Sequence, residues 1–321
     1  ALESQQTMAV IDAYKPVQKS IDDSILRLVR LAQIRKLKPW QIAKMTGMMA
    51  LKTKIIGEIA LYHAIATTHI STAKAGAVTL AQSAAYETMA AGLPPGVTPQ
   101  MMANVGIEWN KLPSDAFANF VGISRNGAPI GNLLAPLGPE TARAITESVG
   151  EGIARGYSPR KTAKIAERAS GVQLSRVLTI ARTETNRAYR EASRLQYAAN
   201  PNLVKGYQRN SAKDDRVCIA CLILDGELYE NDQPLDAHIN CRCAIVPVTV
   251  TYEDLGLDVP MPPEPETGKE WLNKQSEAKQ SKIMGAKRFD AWKSGSIGFN
   301  DMVQVTENSV WGKSAGVAPL K

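Results

Sequence analysis

The chain has 321 residues, a mass of 34.7 kDa and a formal net charge of +7. Its hydrophobic fraction of 44% predicts a folded core and excludes a wholly disordered or collagen-like chain. Aromatic residues make up only 6% of the sequence, so we expect a core of aliphatic side chains and methionine, which favours helices packed on helices.

The positive charge is unevenly distributed. Residues 201–263 carry a net charge of −5, and the excess of lysine and arginine lies mainly before them. A basic balance of this kind allows nucleic-acid contact without requiring it. No run of about 20 apolar residues predicts a membrane span, and the first residues lack the basic and apolar regions of a signal peptide. We therefore expect synthesis in the cytosol with reduced thiols.

Residues 1–138 predict helices joined by loops. Apolar residues recur at helical spacing from Ile21 to Ala32, with arginines between them. Residues 41–91 are rich in alanine, threonine, methionine and glycine and poor in charge, which is typical of helices that pack closely in an interface or bundle. Proline and glycine between residues 92 and 139 predict loops and short helices. This region is expected to contact partner proteins.

Three helices are predicted between residues 139 and 199. The first covers about 139–155 and ends at Gly156, which acts as a C-terminal cap. The second begins at Ser158-Pro159 and is expected to end at Gly171, because glycine often closes a helix. The third covers 173–199 and stops before Pro201.

The third helix carries arginines on the side opposite its apolar face. One interpretation is an ordinary solvated face. The other is a DNA-binding face, because arginines at this spacing can contact successive backbone phosphates. Arg182 and Glu184 lie at the edge of the apolar face, where we expect partly buried, hydrogen-bonded side chains. The candidate DNA-binding residues are Arg176, Arg187, Arg190 and Arg194.

Short β-strands are predicted after Pro201, over residues 203–209, 227–229 and 244–250, from their β-branched and aromatic residues. Four prolines between residues 260 and 265 predict a stiff linker. A short helical tail over about 268–292 follows, and we expect coil from there to the end of the chain.

All four cysteines and one of the three histidines lie close together in the sequence. The Cys-x-x-Cys spacing lets two thiolates of one turn face a single metal ion, and a second arm offers three more donors. Four such donors complete a tetrahedral structural zinc site, with His238 and Cys241 competing for the last place. The candidate ligands are Cys218, Cys221, His238, Cys241 and Cys243.

Two alternatives to zinc remain open for this cluster: disulfides between the two arms, and cysteines that only pack. A catalytic zinc is disfavoured, because the zinc-deaminase pattern needs His-x-Glu before its Cys-x-x-Cys and the chain lacks it. No phosphate-binding loop, serine elbow or His-Glu-x-x-His motif occurs in the sequence either. We therefore predict that the protein is not an enzyme and has no small-molecule substrate. His63 and His69 are expected at a helix surface or interface.

Several motifs together resemble the Mu F-like head morphogenesis proteins of tailed phages. The resemblance covers about residues 139–300, and residues 1–138 show no motif tied to it. The motifs are Gly156-Tyr-Ser-Pro-Arg160, Ile180-Ala-Arg-Thr-Glu-Thr-Asn-Arg187, Asp214-Asp-Arg-Val-Cys218 with Cys221 and Asp225-Gly226, His238-Ile-Asn-Cys-Arg-Cys243, Glu270-Trp-Leu272, Ile283-Met-Gly-Ala-Lys-Arg288 and Trp292-Lys-Ser-Gly295.

The resemblance implies a minor capsid protein that is built into the head near the portal vertex and binds double-stranded DNA without sequence preference. Its partners would be the portal protein, the major capsid protein or both. It would be located in the virion, inside the capsid near the portal, and in the host cytoplasm during assembly. The competing hypothesis is a DNA-binding zinc module that acts outside any capsid.

The predicted fold class is α+β and mostly α-helical. It combines an N-terminal helical region, a helical hairpin with a small zinc-braced β module, and a short helical C-terminal tail. The predicted domains are a partner-contacting helical region (1–138), a Mu F-like domain with the Cys/His cluster (139–258), and a proline-rich linker with a C-terminal extension (259–321).

Overall fold

The computed structural model describes residues 2–35, 46–104, 107–256, 258 and 260–320. Helices dominate the first two thirds of this part of the chain. They are α1 (Leu2–Ile34), α2 (Thr46–Ala91), α3 (Pro99–Asn104), α4 (Ala118–Val121), α5 (Gly131–Leu134), α6 (Leu137–Ala154) and α7 (Pro159–Ala198), with a 3-10 turn at Ser114–Phe117. None of the helices in the described ranges combines the length and apolar character that a membrane crossing requires.

Strands and short helices alternate after α7. The elements are β1 (Val204–Asn210), α8 (Ile219–Ile223), β2 (Leu228–Tyr229), β3 (Ala244–Thr249), α9 (Gly268–Asn273), α10 (Glu277–Met284), α11 (Ala286–Lys293), a 3-10 turn at Asn300–Met302, β4 (Val303–Asn308) and β5 (Gly312–Val317). The mostly helical α+β class predicted from the sequence is confirmed.

The chain forms two compact units, and each draws on separate parts of the sequence. Unit 1 comprises residues 1–73 and 122–185, and unit 2 comprises residues 74–121 and 186–321. The long helices α2 and α7 contribute residues to both units. The three domains expected from the sequence stay a prediction.

Unit 1 is a helical bundle whose apolar residues recur at helical spacing. Its buried side chains include Ile21 and Ile25 of α1, Ile55 and Ile59 of α2, and Ile145 of α6. Polar contacts also cross between helices: the Tyr14 hydroxyl donates to the Ser170 carbonyl at 2.8 Å, and Gln6 Nε2 donates to the Ala181 carbonyl at 3.3 Å. The bundle therefore aligns α1 with α7 by packing and by hydrogen bonds.

The predicted break at Gly171 is wrong, because α7 continues through this residue to Ala198. A glycine inside a helix costs only about 1 kcal/mol relative to alanine. Ser170 and Gln173, which lie on either side of Gly171, are buried and pack this part of α7 within unit 1. Tertiary packing therefore outweighs the local preference. The cap at Gly156 is confirmed: its φ is +68°, and the Tyr157 and Gly156 amides donate to the Gly152 and Ile153 carbonyls.

We expect Gly171→Ala to stabilise unit 1 by about 0.5–1 kcal/mol, because a Cβ at this exposed helical position meets no atom within 4 Å. Gly156→Ala should destabilise it by about 1 kcal/mol, since only glycine adopts this positive φ without strain. Chemical denaturation of the two variants measures both changes. Equal effects of the two substitutions would contradict the continuous helix.

Unit 2 contains a three-stranded antiparallel sheet in the order β2-β1-β3. Tyr207 of β1 lies opposite Tyr229 of β2 and Pro247 of β3. The Tyr207 and Tyr229 rings stack with centroids 5.2 Å apart. All three strands fall where the β-branched and aromatic residues predict them.

The C-terminal residues form more structure than expected. A helical tail is confirmed, in three short helices, but residues 303–317 form the antiparallel hairpin β4-β5 where coil was predicted. Leu272, Met284 and Met302 from this region share one buried core with Leu222 and Cys221. The C-terminal extension, residues 268–318, therefore belongs to the body of unit 2.

Candidate metal centre

The first ligand arm is a tight turn that leads into α8. Cys218 is the N-cap residue of this helix, and its Sγ accepts a hydrogen bond from the Cys221 backbone amide at 3.4 Å. A thiolate that receives an amide N–H in this way is stabilised and oriented. Both cysteines consequently turn towards one point.

The second arm bends between His238 and Cys241. The Cys241 amide donates to the His238 carbonyl at 3.1 Å, and Asn240 has a φ of +60°, a left-handed conformation that asparagine tolerates. The His238 Nδ1–H donates to the Ile239 carbonyl at 2.7 Å. This hydrogen bond leaves Nε2 as the metal-binding nitrogen.

The five predicted donors come together in two overlapping groups, Cys218, Cys221 and His238, and Cys221, Cys241 and Cys243. His238 Nε2 lies 3.2 Å from Cys218 Sγ and 3.1 Å from Cys221 Sγ. Cys221 Sγ lies 3.8 Å from Cys241 Sγ, which matches the separation of about 3.8 Å expected for two thiolates on one tetrahedral zinc. These donors can hold a metal ion.

A cavity of about 40 Å³ opens between the arms. Cys218, Cys221, His238 and Cys243 line it, together with non-ligating residues of the same loops, whereas Cys241 is not among the lining residues. All four cysteines are free, and the 3.8 Å between Cys221 and Cys241 is far longer than the roughly 2.05 Å of a disulfide. The structure contains none of the disulfides that the sequence left open.

Contacts between the donors shift the pKa values of Cys218 and His238 towards their charged forms. The hydrogen bond with Cys221, followed by that with His238, lowers the pKa of the Cys218 thiol to about 4. Burial alone lowers the pKa of His238, but the hydrogen bond and the charge of Cys218 outweigh it and raise the pKa to about 9. The metal-free arms thus hold a thiolate beside an imidazolium, whose proton a bound metal ion would replace.

One ion pair that the sequence did not reveal connects the two arms, and a second lies beside the first arm. Arg242, between two cysteines of the second arm, forms a bidentate pair with Asp214, four residues before Cys218, at 2.6 Å for each contact. Asp225 accepts from the Ser211 amide at 2.5 Å and pairs with Lys213 at 2.8 Å. The sequence does show an aspartate before the first arm and an arginine inside the second arm. That these two residues form an ion pair could not be predicted without the fold.

The predicted arginine stripe is not one solvated face. Arg176 is exposed and pairs with Glu140 at 2.6 Å, and Arg187 is partly exposed. Arg190 is buried, with Nη1 donating to the Cys241 and Cys243 carbonyls at 3.3 and 3.2 Å.

The Arg194 side chain is only 12% exposed and pairs with Glu191. The solvated face is therefore wrong for Arg190 and Arg194, because the second ligand arm and its neighbouring loop cover that side of α7. DNA contact by the four arginines stays a prediction.

Arg182 and Glu184, predicted at the edge of the apolar face of α7, and His63 of α2 are at least partly buried in unit 1. Glu184 is 1% exposed and Arg182 is partly buried, which confirms the expected burial. His63 is half-buried and accepts a hydrogen bond from Gln173 at 2.9 Å, and burial lowers its pKa to about 4. His63 therefore packs within the bundle.

The comparisons with known proteins identify one family. Residues 143–246 match the model of the phage Mu protein F like proteins. No curated protein and no solved structure matches the chain significantly. The matched segment runs from α6 to β3 and contains all five metal-donor candidates.

The match confirms the resemblance predicted from the motifs: over residues 143–246 the chain is similar to the Mu F-like family. The similarity is shown for this segment, and what it implies for the role of the whole chain belongs to the proposal below.

Proposed function

We propose that the protein is a minor capsid protein of a tailed phage, built into the head near the portal vertex, where it contacts the portal or major capsid protein. The observation that carries the proposal is the family match over the segment that holds the Cys/His cluster. The role is structural, because a site with up to five protein donors has no need of an open coordination position.

The metal in this proposal is structural zinc. Cys218, Cys221, His238 and Cys243 form the ligand set, because these four donors line the same cavity. Cys241 is the alternative donor for the fourth position, with its sulfur 3.8 Å from that of Cys221. Three thiolates and one imidazole suit zinc better than magnesium or calcium, which prefer oxygen ligands.

Association with phage particles tests this function. A tagged chain expressed during infection should co-sediment with purified heads, and a head reconstruction without imposed symmetry should locate it at the portal vertex. A chain that binds DNA in infected cells but never enters heads would favour the alternative of a non-capsid DNA-binding zinc module.

The partner surface proposed for residues 1–138 is supported by apolar side chains exposed on α2. Met49 is 65% and Leu61 is 60% exposed. Point substitutions test this surface better than deletion, because α1 and α2 supply much of the core of unit 1.

We expect Leu61→Glu to reduce incorporation into heads about tenfold, which corresponds to a loss of about 1.4 kcal/mol in docking free energy. The fold should persist, because Leu61 points to solvent. Quantitative blotting of purified heads measures the change. Lys52→Glu on the same helix is the matched control, since Lys52 is also exposed but not apolar. Normal incorporation of Leu61→Glu would place the docking surface elsewhere.

The proposed DNA contact is non-specific and made through phosphates. Arg176 is the member of the predicted set best exposed for it. We expect Arg176→Gln to make the log–log salt dependence of DNA affinity shallower by about 0.9, the value for one phosphate contact. Fluorescence anisotropy on duplex DNA across several salt concentrations measures the slope. An unchanged slope would leave Arg176 as a solvated residue paired with Glu140.

A further inference from the structure

A groove of about 350 Å³ lies in unit 2 between α2 and the loop that precedes the first 3-10 turn. Tyr86 and Trp109 form part of its wall, with ring centroids 6.0 Å apart in an edge-to-face arrangement. Tyr86 is 38% exposed and Trp109 is partly exposed. Aromatic rings that line a concave surface are typical of binding sites. The remaining side chains of this aromatic groove are Gln82, Ser83, Glu87 and Lys111.

Hydrogen bonds hold the loop that carries Trp109 from two sides. On one side, Gln82 Nε2 of α2 donates to the Leu112 carbonyl at 2.9 Å. On the other, the Asn110 amide donates to Asn200 Oδ1 at 2.6 Å, and Asn200 Nδ2 donates back to the Asn110 carbonyl at 3.0 Å. Because these contacts fix the loop without a ligand, little ordering entropy is lost when the groove is filled.

Unit 2 also exposes a segment with the properties of a ligand for such a groove. Residues 260–265, the proline segment, have the sequence Pro-Met-Pro-Pro-Glu-Pro and contain the Pro-x-x-Pro spacing twice. Every residue in it is a proline or precedes one, so steric restriction favours the extended polyproline II conformation throughout. The proline segment is exposed and forms neither helix nor strand. It therefore loses little conformational entropy on binding.

The aromatic groove and the proline segment are complementary in chemistry. Grooves lined by aromatic rings bind Pro-x-x-Pro segments, because the rings pack against an extended chain that is already ordered. Glu264 is the one acidic residue of the proline segment, and Lys111 is the one basic residue among those that line the groove. A pair between them fixes the direction of the segment, since Glu87 in the same wall repels Glu264.

The proline segment does not fill the groove of its own chain. None of its residues is among those that line the groove in the described part of the chain. The segment is also anchored elsewhere: the Tyr252 amide donates to the Met261 sulfur at 3.4 Å, and Gly268, three residues after the segment, packs against the Leu222 carbonyl. An exposed segment anchored in this way is available to a second molecule.

We propose that the proline segment of one copy binds the aromatic groove of a second copy. The contact is heterologous, because a segment and a groove are different surfaces, and the copies associate head to tail. Two associated copies still present one free groove and one free segment, so further copies can add to form a ring or an open chain. This self-association depends neither on the proposed zinc nor on the proposed place in the phage head.

Sedimentation velocity of the full-length chain, at concentrations up to about 100 µM, detects self-association of micromolar affinity. Tyr86→Ala should weaken it about tenfold, because a central aromatic side chain is lost, whereas Tyr86→Phe keeps the ring and should stay within about twofold. Replacing Pro262 and Pro263 together by alanine should also weaken it about tenfold. Leu80→Ala is the matched control, because Leu80 of α2 is apolar and 53% exposed but does not line the groove.

A mixture of two variants tests whether the contact joins different copies. Tyr86→Ala retains the proline segment, and the double proline variant retains the aromatic groove. At a concentration where each variant alone is monomeric, the mixture should therefore form dimers and nothing larger. Circular dichroism checks that both variants fold. Should Tyr86→Ala fail to fold, Lys111→Glu replaces it, because Lys111 is exposed and the substitution places a negative charge opposite Glu264.

Three results would overturn the proposal. The first is a wild-type chain that stays monomeric over the whole concentration range. The second is self-association that neither the groove variant nor the double proline variant weakens. The third is binding of a peptide of residues 260–267 to the groove by a chain that does not self-associate, which would identify the occupant as a proline-rich segment of another protein. None of these results would affect the proposed head protein or its metal centre.

Discussion

Cys218→Ser is expected to release zinc and to make residues 214–247 sensitive to protease. The Cys218 sulfur contacts the ring of His238 and accepts the Cys221 amide, so its loss removes one ligand and loosens two others. Structural zinc contributes on the order of 10–16 kcal/mol to a small module, far more than its loops can replace. Elemental analysis of protein purified under reducing conditions, together with limited proteolysis, measures both effects.

Substitution by serine tests the metal-ligand role of Cys218 separately from its role as the helix cap. Serine is itself a good N-cap residue, so the start of α8 should not be weakened by the substitution alone. Cys243→Ser should release zinc to the same extent, because Cys243 lines the cavity, whereas Cys241→Ser should lower affinity but retain metal. Wild-type protein without metal, or Cys218→Ser with a full equivalent of zinc, would contradict the proposed centre.

The cluster itself could be predicted from the sequence because its chemistry is local. Cysteines at Cys-x-x-Cys spacing and a nearby His-x-x-Cys-x-Cys arm bring donors together through turns of a few residues. The strands β1, β2 and β3 could be predicted in the same way, because β-branched and aromatic residues mark them. What the spacing left open was the choice between His238 and Cys241, which depends on how the two arms face each other across the cavity.

The burial of Arg190 could not be predicted from α7 alone. Its helical position, opposite the apolar face, is the position of a solvated residue on a surface helix. The Cys241 and Cys243 carbonyls that cover it lie about fifty residues later in the chain. The covering loop presents carbonyl groups to this side of α7, so a hydrogen-bond donor is needed there. Helical periodicity marks the apolar face and gives no sign of a second covered side.

The C-terminal hairpin was missed for a related reason. Residues 303–317 contain two glycines and two serines, which indicated coil and outweighed the short alternating pattern Val303-Gln-Val305. The hairpin is held in place by distant contacts: the Ala315 amide donates to the Asp236 carbonyl at 3.0 Å, and Lys313 pairs with Asp236 at 3.1 Å. Asp236 lies two residues before the ligand His238. The hairpin therefore supports the second ligand arm directly.

The start of the C-terminal extension has an equally close contact with the first arm. A Cβ atom at Gly268 would lie 2.3 Å from the Leu222 carbonyl oxygen and 2.9 Å from Asp225 Cβ. Leu222 follows the ligand Cys221 in α8, so the first residue of α9 rests against the backbone of the metal module. Only glycine permits this approach, because a carbonyl in a short helix cannot move aside as a flexible side chain does.

We therefore expect Gly268→Ala to destabilise unit 2 by about 3 kcal/mol, the upper end of the range for overpacking, because the clash is with backbone. The C-terminal extension shares its core with Cys221 and Leu222, so its displacement should also weaken zinc retention. Denaturant unfolding of the zinc-loaded chain and the rate of zinc transfer to a chelator measure the two effects. Gly150→Ala in α6 is the matched control, because a Cβ there meets no atom within 4 Å. A Gly268→Ala chain with wild-type unfolding free energy and zinc transfer would mean that the extension does not support the metal module, and that the family-matched segment is stable without it.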